Sequence, residues 1–203
     1  MKRFALVAAA VALGGIGGCG NMPGAPAASA SWVTLFGKTT TLSTWNRIGD
    51  ANWRVADNEL VADKGVGFLV TREAYGDFEL KAEFYAEPDT NSGIFIRCQD
   101  PAKLDSNNCY EVNIWDLRPK PEYGTGAIVD VAAVNPMPKA GGKWNTYHLT
   151  VKGDHMVVVL NGEKTADAHH SKHSRGLIGL QHAGGVKGDS SPIKFRSVEI
   201  RPL

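Results

Sequence analysis

Residues 91 to 116 read NSGIFIRCQDPAKLDSNNCYEVNIWD: two apolar-alternating runs on either side of a polar loop. A strand places successive side chains on opposite faces, so the first run sends Asn91, Gly93, Phe95 and Arg97 one way and Ser92, Ile94 and Ile96 the other. The second run does the same, with Tyr110, Val112 and Ile114 on one side and Glu111, Asn113 and Trp115 on the opposite side. If the two strands pair, Arg97, Glu111 and Asn113 share a surface with two aromatic rings. A carboxylate, a guanidinium, amides and aromatics together suit a polyhydroxylated ligand. The plainer alternative is a surface Arg–Glu cross-strand pair beside half-buried aromatics, which contributes little energy.

Cys98 and Cys109 stand at the loop ends of these strands. In an oxidising compartment they are expected to form a disulfide. Simple alternation puts them on opposite faces, so the bridge requires the backbone to turn at the strand ends. No second Cys or His lies at close ligand spacing to favour a metal site instead.

Outward from this centre nearly every segment reads as strand. β-Branched and aromatic runs recur roughly every eight to twelve residues between Gly, Asn, Asp and Pro turns. Strands are expected at 32–36, 42–45, 53–55, 59–62, 68–71, 77–87, 127–131, 144–152, 156–160, 176–182 and 193–201. Asp57-Asn58, Gly153-Asp154 and Asn161-Gly162 mark hairpin turns. A parity slip between Phe195 and Val198 predicts a bulge. No segment of helical length carries a 3.6-residue period, which predicts an all-β sandwich of two antiparallel sheets with the polar side chains on the concave face of one. The loops RPKPEYGTG and AAVNPMPKAGGK adjoin those strands, where binding residues commonly sit.

Composition narrows the partners. The 203 residues suit one domain, and 22 basic against 21 acidic residues leave no nucleic-acid footprint. Residues 1–18 combine Lys2 and Arg3 with a short apolar run ending in small residues, the pattern of a signal peptide rather than a spanning helix. Ile16-Gly17-Gly18-Cys19 resembles a bacterial lipobox, with Cys19 lipidated as the mature N-terminus. Residues 19–31 then form a small, uncharged tether, and residues 32–203 the folded domain. Gly20 after the Cys points to the outer membrane, with the domain facing the periplasm.

Several motifs in order resemble one family. They are YGDFELKAEF at 75–84, NSGIFIR at 91–97, YEVNIWD at 110–116, TGAIVD at 125–130, KWNTYHLTVKGD at 143–154, LNGE at 160–163, GLIGLQHAG at 176–184 and FRSVEIRPL at 195–203. From about Trp32 to the C-terminus the chain is similar to the domain of unknown function 1080 family, also called the 3-keto-disaccharide hydrolase domain. That resemblance implies a concanavalin A-like jelly roll and action on sugars whose C3 hydroxyl has become a ketone. A C3 ketone acidifies the C2 proton; a base removes it, the enolate needs a donor or cation, and the C1 substituent leaves before water adds.

Mapped onto this chain, Glu111 or His182 would supply base and acid, and Arg97 or a divalent metal the enolate stabiliser. Asn91, Asn113, Trp115, Asp116 and Gln181 would hold the sugar. No other cofactor is implied. Many relatives read Leu-Gln-x-His where this chain has His182 directly after Gln181, and alternation then sends the two to opposite faces unless a bulge intervenes. The jelly roll also hosts non-catalytic carbohydrate-binding proteins, so a binding lipoprotein of the envelope is the alternative function. His169, His170 and His173 form an HHxxH cluster, more simply read as a polar loop than a metal centre.

Overall fold

The computed structural model describes residues 30–203; the signal segment, the lipobox with Cys19 and most of the tether lie outside the described residues. The chain folds as a two-sheet antiparallel sandwich. The strands in chain order are β1 (Val33–Phe36), β2 (Trp45–Gly49), β3 (Asn52–Ala56), β4 (Glu59–Asp63), β5 (Gly67–Thr71), β6 (Phe78–Ala86), β7 (Asn91–Cys98), β8 (Tyr110–Ile114), β9 (Lys143–Lys152), β10 (His155–Leu160), β11 (Glu163–His169), β12 (Leu177–Gly185), β13 (Gly188–Asp189) and β14 (Ile193–Pro202). The larger sheet runs β11-β10-β9-β6-β14-β4-β3 with β1 added along β14, and the smaller runs β2-β5-β12-β7-β8 with β13 added to β12.

Alternation builds the core. Leu80, Ala82 and Phe84 of β6, Tyr147 and Leu149 of β9, and Phe195 and Val198 of β14 face Ile94 and Ile96 of β7, Val112 and Ile114 of β8, and Ile178 and Leu180 of β12. Each fully buried Leu, Ile, Val or Phe among them contributes about 1.5–3 kcal/mol. The outward faces stay polar where solvent reaches them, as in the B-i-B-e pattern of β6. Trp45 and Trp53 are core residues. Trp32 and Trp144 instead lie half-buried on the outside of the larger sheet, beneath the guanidinium groups of Arg201 and Arg196.

Asp57-Asn58 and Asn161-Gly162 make their turns through positive φ at both residues, and Gly153-Asp154 joins β9 to β10. The slip in the last strand is a register shift between Phe195 and Ser197. Two strand expectations need correction. Leu42–Thr44 is a single 3₁₀ turn, and the strand starts where it ends, at Trp45. Residues 127–131 form a tight loop rather than a strand. Its amides and carbonyls alternate between β8 and the loop itself: Asn113 N–H donates to Ala127 and Val129 N–H to Glu111, whereas Ile128 N–H turns inward to Ala132.

Candidate functional site

The outer face of the smaller sheet divides into a greasy half and a polar half. The greasy half is a second small core of Phe68, Val70, Phe95, Cys98, Cys109 and Leu104, in which the Phe68 and Phe95 rings meet edge to face at 5.1 Å. Cys98 and Cys109 are disulfide-bonded. The bridge closes the 99–108 loop over the sheet, and Leu104 drops into the space left by the missing side chain of Gly179.

One backbone dihedral makes that bridge attainable. Arg97 takes a left-handed φ of 52°, and the β7–β12 register slips beside it, pairing Cys98 with Leu177 but Phe95 with Gly179. The extra residue returns Cys98 to the outer face, where Cys109 lies, and swings Arg97 away. This overturns the expectation that Arg97 shares a surface with Glu111. Its guanidinium is 1% exposed. It donates to the carbonyls of Gly76, Gly153 at 2.6 Å and His173 at 3.1 Å, and to Asp77 Oδ1 at 3.0 Å. Burial pulls its pKa down, partly opposed by the Asp77 and Tyr110 oxygens. Arg97 thus ties together the start of β6, the β9–β10 turn and the loop before β12, and it has no free donor for an enolate.

His182 is also removed from the site. No bulge separates it from Gln181, because both continue in register with Gly67 and Phe68 of β5. Gln181 therefore faces outward and His182 inward, fully buried. Its Nδ1 lies 2.9 Å from the carbonyl oxygen of Gly65, which can only accept, so the hydrogen sits on Nδ1. Nε2 lies 3.4 Å from Ser190 Oγ. The expected catalytic roles of Arg97 and His182 conflict with these positions.

Glu111 occupies the polar half as expected. In the sheet register it stands opposite Phe95, while Asn113 stands opposite Gly93 and Gly93 opposite Gln181. Gly93 provides the floor: a Cβ there would lie 3.3 Å from Glu111 Oε1. The Glu111 carboxyl is pushed up to about 7, chiefly by burial, with Arg118 pulling down and Asp130 pushing up. Asp130 reaches that position through a left-handed φ of 58° in the tight loop along β8.

The expected sugar-holding residues fall into two groups. Trp115 and Gln181 are half-buried on the Glu111 side, and Gln181 Oε1 is a buried oxygen with no partner, as is Asn113 Oδ1. Gln181 is half-buried, so its oxygen is the one a ligand hydroxyl can satisfy, whereas Asn113 is fully buried. Asn113 Nδ2 is spent on the Tyr123 carbonyl at 2.7 Å, and Tyr147 donates from the core to the Asn113 carbonyl at 2.6 Å, fixing β8 from beneath. Asn91 and Asp116 shape the site rather than face it. Asn91 Nδ2 donates to the Gly184 carbonyl, holding the β12–β13 hairpin to β7. Asp116 accepts from Thr125 Oγ1 at 2.7 Å and from the Ala140 and Gly141 amides, each at 2.9 Å, so it clamps two loops together.

Sequence reasoning missed Arg118. Its guanidinium stands 5.8 Å from the Trp115 ring centroid and acts electrostatically on Glu111, the place once expected of Arg97. The signal was an arginine two residues beyond the Glu111-Trp115-Asp116 run, but loop conformation is not encoded by period. Among the described residues no group of three or more His, Cys, Asp or Glu side chains is arranged to hold a metal ion. The HHxxH histidines separate: His169 stacks on His155, while His170 and His173 flank Tyr110.

No curated protein matches the chain. A presumed glycosyl hydrolase from Parabacteroides distasonis is 28% identical, covering 85% of this chain and all of that one with a TM-score of 0.69. The carbohydrate binding module CBM66 from Bacillus subtilis shares the fold, with 17% identity over 85% of this chain and 96% of that one and a TM-score of 0.56. A further Bacillus subtilis protein of galectin-like fold superposes with a TM-score of 0.57 at 12% identity, over 79% of this chain and 90% of that one. The model of the 3-keto-alpha-glucoside-1,2-lyase-like domain matches residues 31–201. The chain belongs to the 3-keto-alpha-glucoside-1,2-lyase-like domain family.

Proposed function

We propose that this protein cleaves 3-keto-glycosides on the outer face of its smaller sheet, with Glu111 as the base. The observation that carries this reading is a carboxyl pushed up to about 7, lying against the bare backbone of Gly93 on the outer face of the sheet. A base poised near neutrality both accepts a proton and returns it. Glu111 takes the C2 proton, and the C–H electrons move into a C2–C3 enolate. The enolate collapses to a C1–C2 double bond, expelling the C1 oxygen, which leaves as the alcohol after taking a proton. Water then adds at C1 while C2 regains a proton, so the net change is hydrolysis of the glycosidic bond. Arg118 is placed to balance the developing negative charge. Trp115 offers an aromatic face, and the half-buried Gln181 accepts a sugar hydroxyl.

The family and the glycosyl hydrolase likeness support the carbohydrate substrate. The lipobox at Cys19 supports a lipid-anchored position in the bacterial envelope, facing the periplasm. A second reading, a sugar-binding module without catalysis, is favoured by the fold shared with CBM66 and would need no elevated carboxyl.

The test is release of 4-nitrophenol from 4-nitrophenyl 3-keto-α-glucoside by the purified full-length chain, with and without EDTA and beside Glu111→Gln. Glu111-dependent release supports the enzyme. Binding of the unoxidised glucoside without release from the 3-keto form would establish the binding module instead.

A further inference from the structure

A cleft of about 290 Å³ opens at the Trp115 end of the polar half, between the loop that follows β8 and the β12–β13 hairpin. Its walls are Trp115, Leu117 and Val186, with Asp89, Lys187 and Asp189 around them. Among the described residues only seven large apolar side chains are left exposed, and two of them, Leu117 at 54% and Val186 at 66%, meet here. An apolar wall facing water around a half-buried indole is a poor arrangement for stability and a suitable one for a ring.

The cleft shares Trp115 with the site just described. Trp115 lies four residues beyond Glu111, about 13 Å at strand rise, a span bridged by one sugar ring and the group attached to its C1. Arg118 connects the two ends, acting on the Glu111 carboxyl while standing against the Trp115 ring. The hairpin wall is held in place by the Asn91 side chain at Gly184 and by the Gly184–Asp189 and Gly185–Gly188 pairs.

We propose that this cleft receives the group that leaves from C1, and that it selects an aromatic aglycone over a small alkyl group. This rests on the enzyme reading for its placement relative to C1. Trp115, Leu117 and Val186 offer three apolar surfaces to a flat ring. The Asp89 and Asp189 carboxylates accept from phenolic hydroxyls on that ring.

The experiment compares kcat/KM for 4-nitrophenyl and methyl 3-keto-α-glucosides in the full-length protein and in Val186→Ser and Leu117→Ser, both at exposed positions. Since leaving-group chemistry is the same in every variant, the informative quantity is the change in the aryl-to-methyl ratio. It is expected to fall about tenfold in each variant, the effect of losing an apolar wall. A ratio unchanged in both variants overturns the inference. If no 3-keto-glucoside turns over at all, the enzyme reading fails separately, and binding decides this one. Phenyl α-glucoside should then shift the Trp115 indole resonance, identified by its loss in Trp115→Phe, more than methyl α-glucoside does, with the difference lost in Val186→Ser. Equal shifts from both glucosides would overturn it.

Discussion

The Glu111 carboxylate stands against the bare backbone of Gly93 on the neighbouring strand, so closely that a Cβ at Gly93 would lie 3.3 Å from Glu111 Oε1 and 3.2 Å from the Val112 carbonyl. Gly93 is extended strand backbone, and an alanine there keeps its conformation. The missing methyl is therefore about room for the Glu111 side chain. Gly93→Ala is expected to lower kcat at least tenfold by displacing Glu111, with a small change in Tm. Activity retained with an unchanged Tm would show that the carboxylate does not need this floor.

The elevated Glu111 carboxyl has opposite consequences for activity and stability. As a base it must be ionised, so kcat/KM should rise with pH and level off above about 7. Folding raises the pKa from an ordinary 4.5 to about 7, so the native chain favours the protonated form. The stability this gives is complete below 4.5 and is lost as pH rises through 7. Glu111→Gln should therefore cost 10²–10⁴ in turnover yet stabilise the protein at pH 8, by on the order of 2 kcal/mol after allowance for partial solvent contact. Urea midpoints of both proteins at pH 5 and pH 8 check this, and a difference that does not grow with pH would contradict it.

The two arginines should separate cleanly. Arg118 pulls the Glu111 carboxyl down, so Arg118→Ala should lower kcat and move the acid limb of the pH profile upward. Arg97 holds three carbonyls and Asp77 from a fully buried position. Arg97→Met leaves those acceptors unpaired and is expected to cost about 3–5 kcal/mol, seen as a lower Tm, without a shift of the pH profile. A shifted profile in Arg97→Met would return that residue to the chemistry.

The loop that Leu104 caps depends on its bridge. Cys98 and Cys109 are 11 residues apart, and opening a loop of that size costs about 3 kcal/mol. A Cys98→Ser, Cys109→Ser double variant should lose that much in urea denaturation, and reductant should lower the midpoint of the parent but not of the variant.

The proposed lipidation of Cys19 bears on location rather than chemistry. Cys19→Ser is expected to move the protein from the membrane fraction to the soluble fraction of the cell envelope while turnover of a 3-keto-glucoside stays the same. Retention in the membrane fraction would remove the lipid anchor from this account.

The sequence by itself determined the sandwich, because strand alternation and turn chemistry are local. Ile94, Ile96, Val112 and Ile114 declared the inner face, Asp57-Asn58 and Asn161-Gly162 their turns, and the outward place of Glu111 followed from the same period. Tertiary structure decided which polar residues meet Glu111. One left-handed residue at Arg97 reversed the parity of β7 at its end, bringing Cys98 to Cys109 and burying the guanidinium, and period-2 reasoning has no means of locating such a residue. His182 turned inward because no bulge followed Gln181, which the register with β5 and β7 reveals. Arg118 and Leu117 reach the site from a loop, where position depends on clamps such as Asp116 with the Ala140 and Gly141 amides, contacts between segments far apart in the chain that no local pattern encodes.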